Sequence, residues 1–165
     1  VLASFLPEDL LGRGGGGGGV VVTKAEASSR VPPALRRYAP FDRVLVDPPC
    51  TAARAAAKRG GGPAKQHDPA AVKTNAELMH ELLRCAAALV RPGGLIVYTT
   101  SSLEEEENDG AVRRFLRREG SSFKVEEGED DSPIAGAERT AMGTQILPDQ
   151  GTLHGPLYFA RLQRS

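Results

Sequence analysis

Two short segments place chemically active side chains directly after apolar runs. Residues 47–50 (Asp-Pro-Pro-Cys) follow the apolar run 44–46, and residues 100–103 (Thr-Ser-Ser-Leu) follow the apolar run 95–99. An open α/β sheet gathers its functional residues at the carboxyl ends of neighbouring strands. The two segments are therefore expected to form one site.

The thiol of Cys50 and the hydroxyl of Ser101 differ greatly in nucleophilic strength. A free thiol has a pKa near 8.5, so roughly 3% of it is thiolate at neutral pH before any tuning. A serine hydroxyl is far less acidic and needs a neighbouring base before it can attack. The spacing of His67, His80 and His154 places none of them beside Ser101. We therefore do not expect normal nucleophilic catalysis from Ser101.

The histidines also lack the spacing of metal ligands, so we expect no metal site and predict that all three lie at the surface. Cys85 lies next to the core face of a predicted helix and is expected to pack in the core. The two cysteines do not suggest a disulfide framework, which fits a reducing compartment.

Composition sets the broad class of protein. The chain has 165 residues, of which 40% are hydrophobic and 25% charged, as in a single globular domain. Its 21 basic and 21 acidic residues cancel, so any affinity for nucleic acid must come from a local patch. No apolar run approaches the roughly 20 residues that span a bilayer, and we expect no membrane partner.

A long helix is predicted between the two reactive segments. Asp68 is expected to be its N-cap and Pro69 its first residue. Apolar residues recur at steps of three or four positions, which indicates one buried stripe. These residues are Val72, Ala76, Met79, Leu83, Ala86 and Val90. The Arg-Pro-Gly-Gly turn at residues 91–94 should stop the helix before a strand at residues 95–99.

A second helix is predicted after the serines. Its four carboxylates at residues 104–107 indicate a solvated helix start, where the macrodipole favours acidic side chains. Arginines follow toward its end, and one face is apolar. The arginines are Arg113, Arg114, Arg117 and Arg118, and the core face is Val112, Phe115 and Leu116. Further strands are predicted at residues 20–23, 43–47, 123–126 and 155–162, with a short helical turn at 6–11 and an acidic disordered stretch through 131.

Two loops are predicted to be flexible. Residues 12–19 contain six consecutive glycines but lack the preceding strand and the following Lys-Ser/Thr of a phosphate-binding loop, so we interpret them as a linker. Residues 53–67 contain cations and no acidic residue. The cations are Arg54, Lys58, Arg59 and Lys65. They are either RNA contacts or the charges of an exposed insertion, and the sequence leaves both interpretations open.

Together the two motifs resemble those of the Nop/Sun family of RNA cytosine-C5 methyltransferases. In that family the first strand ends Asp-x-Pro-Cys, and the second reads Ser-Thr-Cys-Ser-Leu. Here a Pro-Gly-Gly turn at residues 92–94 precedes Thr-Thr-Ser-Ser-Leu, and Glu107 and Asn108 complete the second motif. The similarity runs over almost the whole chain and is closest to the mitochondrial ribosomal-RNA member.

The resemblance implies the fold class: an α/β fold, the carboxyl-terminal part of a Rossmann-like S-adenosylmethionine-dependent methyltransferase domain. We expect residues 1–165 to form one domain, and a fragment that lacks the amino-terminal cofactor-binding strands. The chain has neither the glycine-rich turn that would cradle the methionine part of S-adenosylmethionine nor the acid that would bind its ribose.

The resemblance also implies roles for individual residues. Asp47 corresponds to an aspartate that faces both cofactor and target base, and Cys50 to a cysteine that helps release the methylated product. Ser101 occupies the place of the nucleophilic cysteine. Glu26 corresponds to an aspartate at the adenine side of the cofactor, although an ungapped register would put Ser29 there instead.

These correspondences predict a catalytically inactive, rRNA-binding factor in assembly of the large ribosomal subunit in the mitochondrial matrix. The resemblance implies a helical-repeat partner of the mitochondrial transcription-termination-factor type. Two alternatives stay open. One is an active cytosine-C5 methyltransferase that uses Cys50 as its nucleophile. The other is an amino-methyltransferase, whose motif also begins Asp-Pro-Pro but continues with an aromatic residue that stacks on the flipped base, where this chain has Cys50.

Overall fold

The computed structural model describes residue 31 and residues 33–51, 68–126, 136–147 and 156–165. Several expectations from the sequence fall outside these ranges and stay predictions. They concern the turn at 6–11, the linker at 12–19, the strand at 20–23, Glu26, Ser29, His67, His154, all four cations of the loop at 53–67, and the acidic stretch through 131.

The described residues form three helices, one 3-10 turn and six strands. The helices are α1 (Pro33–Arg36), α2 (Pro69–Leu89) and α3 (Asp109–Glu119), with a 3-10 turn at Glu105–Glu107. The strands are β1 (Phe41–Val46), β2 (Val90–Thr100), β3 (Phe123–Val125), β4 (Ala137–Arg139), β5 (Thr144–Ile146) and β6 (Leu157–Arg164).

The six strands form one sheet in which β1 and β2 are parallel neighbours. The strand order is β1-β2-β6-β5-β4, and β3 also pairs with β6. Every pair except β1 and β2 is antiparallel. Val44 is aligned with Ile96 and Val46 with Tyr98, so β1 and β2 end at the same edge of the sheet. This arrangement confirms the predicted α/β class and the shared edge.

Helix α2 confirms the predicted boundaries and buried stripe. The Asp68 carboxylate accepts hydrogen bonds from the backbone N–H groups of Ala70 and Ala71, and Pro69 occupies the first turn, where no N–H partner is needed. Five of the six predicted stripe residues are buried and Ala76 is half-buried. Cys85 is buried as well, as expected, and burial raises the pKa of its thiol.

The turn between α2 and β2 differs from the prediction, because β2 already begins at Val90. Gly93 has a φ of +71°, a left-handed conformation that glycine adopts readily. A Cβ atom on Gly94 would lie only 2.8 Å from the backbone oxygen of Asp42 on β1. The two glycines therefore let β2 pass close beside β1 before the regular register begins.

One face of the sheet packs against α2 and α3. The inward residues of β1, β2 and β6 alternate along each strand, as expected for strands with one buried face. They are Val46, Ile96, Tyr98, Tyr158, Ala160 and Leu162. From α3, Phe115 packs edge-to-face on Phe123 at a ring-centroid distance of 5.2 Å. On the opposite face, Leu45 of β1 is 68% exposed among the described residues.

The acidic run at residues 104–107 is not the solvated helix start that the sequence predicts. Its last three residues form a 3-10 turn, and α3 begins only at Asp109. Glu105 and Glu106 are exposed, but Glu107 is completely buried. The prediction for Glu107 was wrong because a carboxylate can be buried when several donors surround it, and here the donors come from distant segments.

His80 is also not at the surface as predicted. It lies on α2 with only 2% of its surface exposed, and neither ring nitrogen has a hydrogen-bond partner among the described residues. Burial lowers the pKa of His80, and the nearby guanidinium groups of Arg114 and Arg118 lower it further. The side chain is therefore held in its neutral form.

We expect the free energy of unfolding to fall as the pH drops from about 7 to about 5. The pKa of His80 is lower in the folded state than in the unfolded state, so the unfolded chain takes up the proton first and gains stability below pH 6.5. Denaturant unfolding at a series of pH values measures this effect. A His80→Leu variant should lose most of the pH dependence in this window, and an unchanged slope would contradict the assignment.

A short hairpin of β4 and β5, which the sequence analysis did not predict, is fastened to the start of α3. The buried Asp109 carboxylate accepts hydrogen bonds from the hydroxyl groups of Thr140 and Tyr158, at 2.7 and 2.8 Å, and from the backbone N–H groups of Ala141 and Met142. Burial raises the pKa of Tyr158, and the bond to Asp109 raises it further. Tyr158 thus remains a neutral donor.

Candidate active site

The two reactive segments meet at the carboxyl edge of the sheet. Because β1 and β2 are parallel and end side by side, the chain leaves both strands in the same direction. The Sγ atom of Cys50 lies 3.4 Å from the Oγ atom of Ser101, close enough for a hydrogen bond in which either can donate. The structure thus brings together two predicted site residues that are 51 positions apart in the sequence.

Asp47 lies at the same edge, immediately after β1. Its side chain is exposed and forms no hydrogen bond or ion pair with the described residues. In open α/β sheets, ligands bind outside the carboxyl ends of the strands, where Asp47 lies. An accessible carboxylate there fits the hydroxyl and ammonium groups of S-adenosylmethionine, and Asp47 is the one candidate cofactor residue within the described ranges.

Ser101 has no base beside it in the described part of the chain. Its hydroxyl forms a side-chain hydrogen bond with the half-buried thiol of Cys50, and no carboxylate or imidazole of the described residues lies within hydrogen-bond distance. A serine nucleophile requires such a base to remove its proton. The arrangement therefore lacks the general-base part of a serine nucleophile.

Below the site, Glu107 holds the segment that follows β1. The backbone N–H of Thr51 donates to both oxygens of the Glu107 carboxylate, at 3.2 and 3.1 Å. The Thr51 hydroxyl donates to Oε2 at 2.8 Å, and Asn75 of α2 donates to Oε1 at 2.8 Å. Glu107 thereby joins the Cys50 segment to the helix behind it.

A second set of hydrogen bonds holds the segment that follows β2. The Thr100 hydroxyl donates to Oδ1 of Asn108 at 2.6 Å, and Nδ2 of Asn108 donates to the backbone oxygen of Ser102 at 3.1 Å. The hydroxyl groups of Ser102 and Thr51 lie 3.1 Å apart. Glu107 thus holds the segment of Cys50 and its neighbour Asn108 holds the segment of Ser101, and the contact between Ser102 and Thr51 joins the two segments.

Tyr98 forms the floor beneath this corner. Its hydroxyl donates to the backbone oxygen of Glu107 at 2.5 Å. Burial raises the pKa of Tyr98, and the nearby Glu107 and Cys50 raise it further. The phenol therefore stays neutral and serves as a fixed hydrogen-bond donor.

The main difference between the site and its prediction is that four residues hold the site by hydrogen bonds and were not predicted to do so. Glu107, Thr51, Asn75 and Asn108 have no predicted site role, although Glu107 and Asn108 belong to the second motif. That shared place in the motif was the available signal. Glu26, Ser29 and the four cations of the loop at 53–67 lie outside the described residues, so their predicted roles are not tested.

The described ranges contain no group of three or more His, Cys, Asp or Glu side chains that could hold a metal ion. Among the same residues, no helix is long and apolar enough to cross a membrane.

The described part of the chain has the α/β fold of S-adenosylmethionine-dependent methyltransferases. NSun6 from Pyrococcus horikoshii, whose crystal structure was solved with SFG, superimposes with a TM-score of 0.66 and 24% sequence identity. The match covers 88% of this chain and 35% of that chain. It confirms the fold predicted from the sequence.

The family model described as 16S rRNA methyltransferase RsmB/F matches residues 20–163, and the chain belongs to this family. The ribosomal RNA small subunit methyltransferase B of Shewanella oneidensis is 30% identical over 127 residues, which is 76% of this chain and 27% of that protein. The mitochondrial tRNA (cytosine(34)-C(5))-methyltransferase of Mus musculus is 27% identical over 138 residues, covering 76% of this chain and 38% of that protein. The chain spans 17% to 38% of the length of such curated relatives.

Proposed function

We propose that the protein is a methyltransferase-like, catalytically inactive RNA-binding factor, and that Ser101 stands where active relatives have their nucleophilic cysteine. The observation that carries the proposal is the contact between Ser101 and Cys50. The Ser101 hydroxyl lies 3.4 Å from the Cys50 sulfur, and none of the described residues lies close enough to act as its general base.

The chemistry of cytosine explains why this one atom matters. Carbon 5 of cytosine is a poor nucleophile and becomes reactive only after a covalent bond forms at the neighbouring carbon 6. A thiolate forms this bond well, because it is partly present at neutral pH and is intrinsically very nucleophilic. A hydroxyl without a base is neither ionised at neutral pH nor strongly nucleophilic. S-adenosylmethionine, when bound, would supply the methyl group, and the exposed Asp47 carboxylate at the strand edge would hold the cofactor or the target cytosine.

The intact packing around the site supports a role that depends on shape. Ile96, Tyr98, Tyr158 and Leu162 remain fully or almost fully buried beneath the two reactive segments. Glu107 and Asn108 also hold the segments of Cys50 and Ser101 by hydrogen bonds. A surface that keeps its geometry can still occupy an RNA site after the reaction is lost.

We further propose that the RNA is ribosomal RNA and that the protein acts on the maturing large subunit in the mitochondrial matrix. The family description and the name of the Shewanella relative, both of which specify small-subunit rRNA, support an rRNA partner. The mitochondrial location in the name of the mouse relative supports the compartment. The sequence resemblance motivates the choice of the large subunit and of a partner of the mitochondrial transcription-termination-factor type.

The second candidate function is an active cytosine-C5 methyltransferase that uses Cys50. The half-buried Cys50 thiol favours it, because its sulfur lies within 3.4 Å of the position where the proposal places the lost nucleophile. A small movement of the base would bring carbon 6 to the sulfur instead.

Incubation of the full-length protein with tritiated S-adenosylmethionine and unmodified rRNA is expected to give no methyl transfer. The physical reason is that the Ser101 hydroxyl cannot form the carbon 6 adduct at a useful rate without a base, whose absence alone costs about 10²–10⁴-fold. Filter-bound tritium measures the transfer. Incorporation that survives Ser101→Ala and vanishes in Cys50→Ala would instead establish the second candidate.

Restoring the protein to cells depleted of it is expected to restore assembly of the large subunit even when Cys50 is replaced by serine. The variant removes the remaining thiol and keeps a side chain of nearly the same size, so a role in binding should survive. Sedimentation profiles of mitochondrial ribosomes measure the rescue. If a stably folded Cys50→Ser protein fails, the thiol still performs chemistry and the proposal of an inactive factor is wrong.

A further inference from the structure

Glu107 is the most completely enclosed charged residue of the site region, with none of its surface exposed. A buried carboxylate is costly unless donors surround it. Its oxygens accept from the backbone N–H and hydroxyl of Thr51 and from the side-chain amide of Asn75. Two of its three donor groups therefore belong to one residue, which directly follows Cys50.

The hydrogen bonds of Glu107 continue across the site. The Thr51 hydroxyl uses its only proton for Glu107, so the Ser102 hydroxyl donates to Thr51 over the 3.1 Å contact. The backbone N–H of Glu104 then donates to the Ser102 oxygen at 3.0 Å. Thr51 directly follows Cys50 in the sequence, and Ser102 directly follows Ser101. The path from Glu107 through Thr51 to Ser102 therefore links the neighbours of that pair. Each residue of the pair is thus tethered by its neighbour.

We propose that Glu107 is a positioning residue, which acts through Thr51 to hold the Cys50 thiol against the side chain at position 101. A carboxylate accepts from Thr51 at both of its oxygens, whereas an amide would turn its NH₂ group toward a donor on one side. The inference rests on the proposed site. It does not depend on whether that site is active, because it concerns the geometry of the thiol.

The rate at which iodoacetamide alkylates Cys50 tests the inference in the full-length protein. Quantitative mass spectrometry follows Cys50 and Cys85 separately, since trypsin places them in different peptides. In Glu107→Gln the Cys50 rate is expected to rise roughly tenfold, because losing a hydrogen bond to a charged group shifts local opening by about that factor. Cys85, buried on α2, should keep its slow rate and reports on the global fold.

Two threonine variants provide the matched pair. Thr51→Val removes the hydroxyl that links Glu107 to Ser102. It should raise the alkylation rate of Cys50 by less than Glu107→Gln does. Thr74→Val removes the hydroxyl that donates to the backbone oxygen of Ala70 on the exposed face of α2, and it should leave the alkylation rate of Cys50 unchanged. If Glu107→Gln does not fold, Thr51→Val decides the question alone.

A readout specific to positioning is the coupling between the two site residues. Ser101→Ala should speed alkylation of Cys50 in the natural protein but have no further effect in the Glu107→Gln or Thr51→Val background. An unchanged Cys50 rate in Thr51→Val would overturn the inference. So would a parallel rise at Cys85, since Glu107 would then support only the fold. Methyl transfer is not part of this measurement, so the proposed function can fail without affecting the result.

Discussion

In the presence of S-adenosylmethionine, full-length protein carrying Ser101→Cys is expected to form a stable covalent adduct with RNA whose cytosines are fluorinated at carbon 5, while the natural protein forms none. The adduct is stable because, after methyl transfer, carbon 5 carries no proton whose loss would release the thiol. The variant replaces the Ser101 hydroxyl, which lies 3.4 Å from the Cys50 sulfur, with a thiol. An ordinary thiol is roughly 3% thiolate at neutral pH, whereas the hydroxyl has no base to ionise it. Denaturing gels of radiolabelled RNA measure the adduct, because a covalent complex survives denaturation.

Two control variants sharpen this result. Ser101→Ala should form no adduct, and adding Cys50→Ala to Ser101→Cys should increase the adduct on ordinary RNA if Cys50 helps release the product. An adduct formed by the natural protein and lost in Cys50→Ala would support the active enzyme instead. If Ser101→Cys binds RNA but forms no adduct, the site has lost more than its nucleophile.

Asp109→Ala is expected to lower the free energy of unfolding by about 3 kcal/mol, the largest single effect on stability that we predict outside the apolar core. The substitution would leave the buried hydroxyl of Tyr158 and the half-buried hydroxyl of Thr140 without their acceptor, and also two backbone N–H groups of the β4–β5 turn. Denaturant titration followed by circular dichroism measures the change.

Glu105→Ala is the matched control for this loss. Glu105 is an acidic residue of the same region, but it is exposed and pairs with Arg113 at 2.8 Å on the surface. Exposed ion pairs contribute about 0–1 kcal/mol, so this variant should be nearly neutral. Equal effects of the two substitutions would mean that the hairpin is not held by Asp109.

Local rules were sufficient for the parts of the fold that carry strong patterns. Asp68 and Pro69 mark the start of α2 because capping and the lack of an N–H group act within one helical turn. The strands at 43–47 and 155–162 were also predicted to within a few residues of β1 and β6. The shared edge of Cys50 and Ser101 followed from the rule that parallel strands end together.

The errors concern residues whose environment is made by distant segments. Glu107 looks solvated in an acidic run, and only the arrival of Thr51 and Asn75 makes its burial favourable. His80 carries no sign in the sequence that α3 will cover it. The strands β4 and β5 have three residues each, too few to show alternation, and their anchor Asp109 lies some thirty positions earlier. None of these contacts is encoded within a short window.

The glycine at position 94 gives the site a mechanical dependence on the opposite end of the sheet. A methyl group there would lie 2.7 Å from Cγ2 of Val90 and 2.8 Å from the backbone oxygen of Asp42, so β1 and β2 would have to separate. From Arg43 and Leu95 the two strands keep one register up to Val46 and Tyr98, shortly before Cys50 and Ser101. The pairing of β1 and β2 therefore depends on Gly94 at one end of the strands. The distance between the Cys50 sulfur and the Ser101 oxygen at the other end depends in turn on that pairing, although no reactive group lies near Gly94.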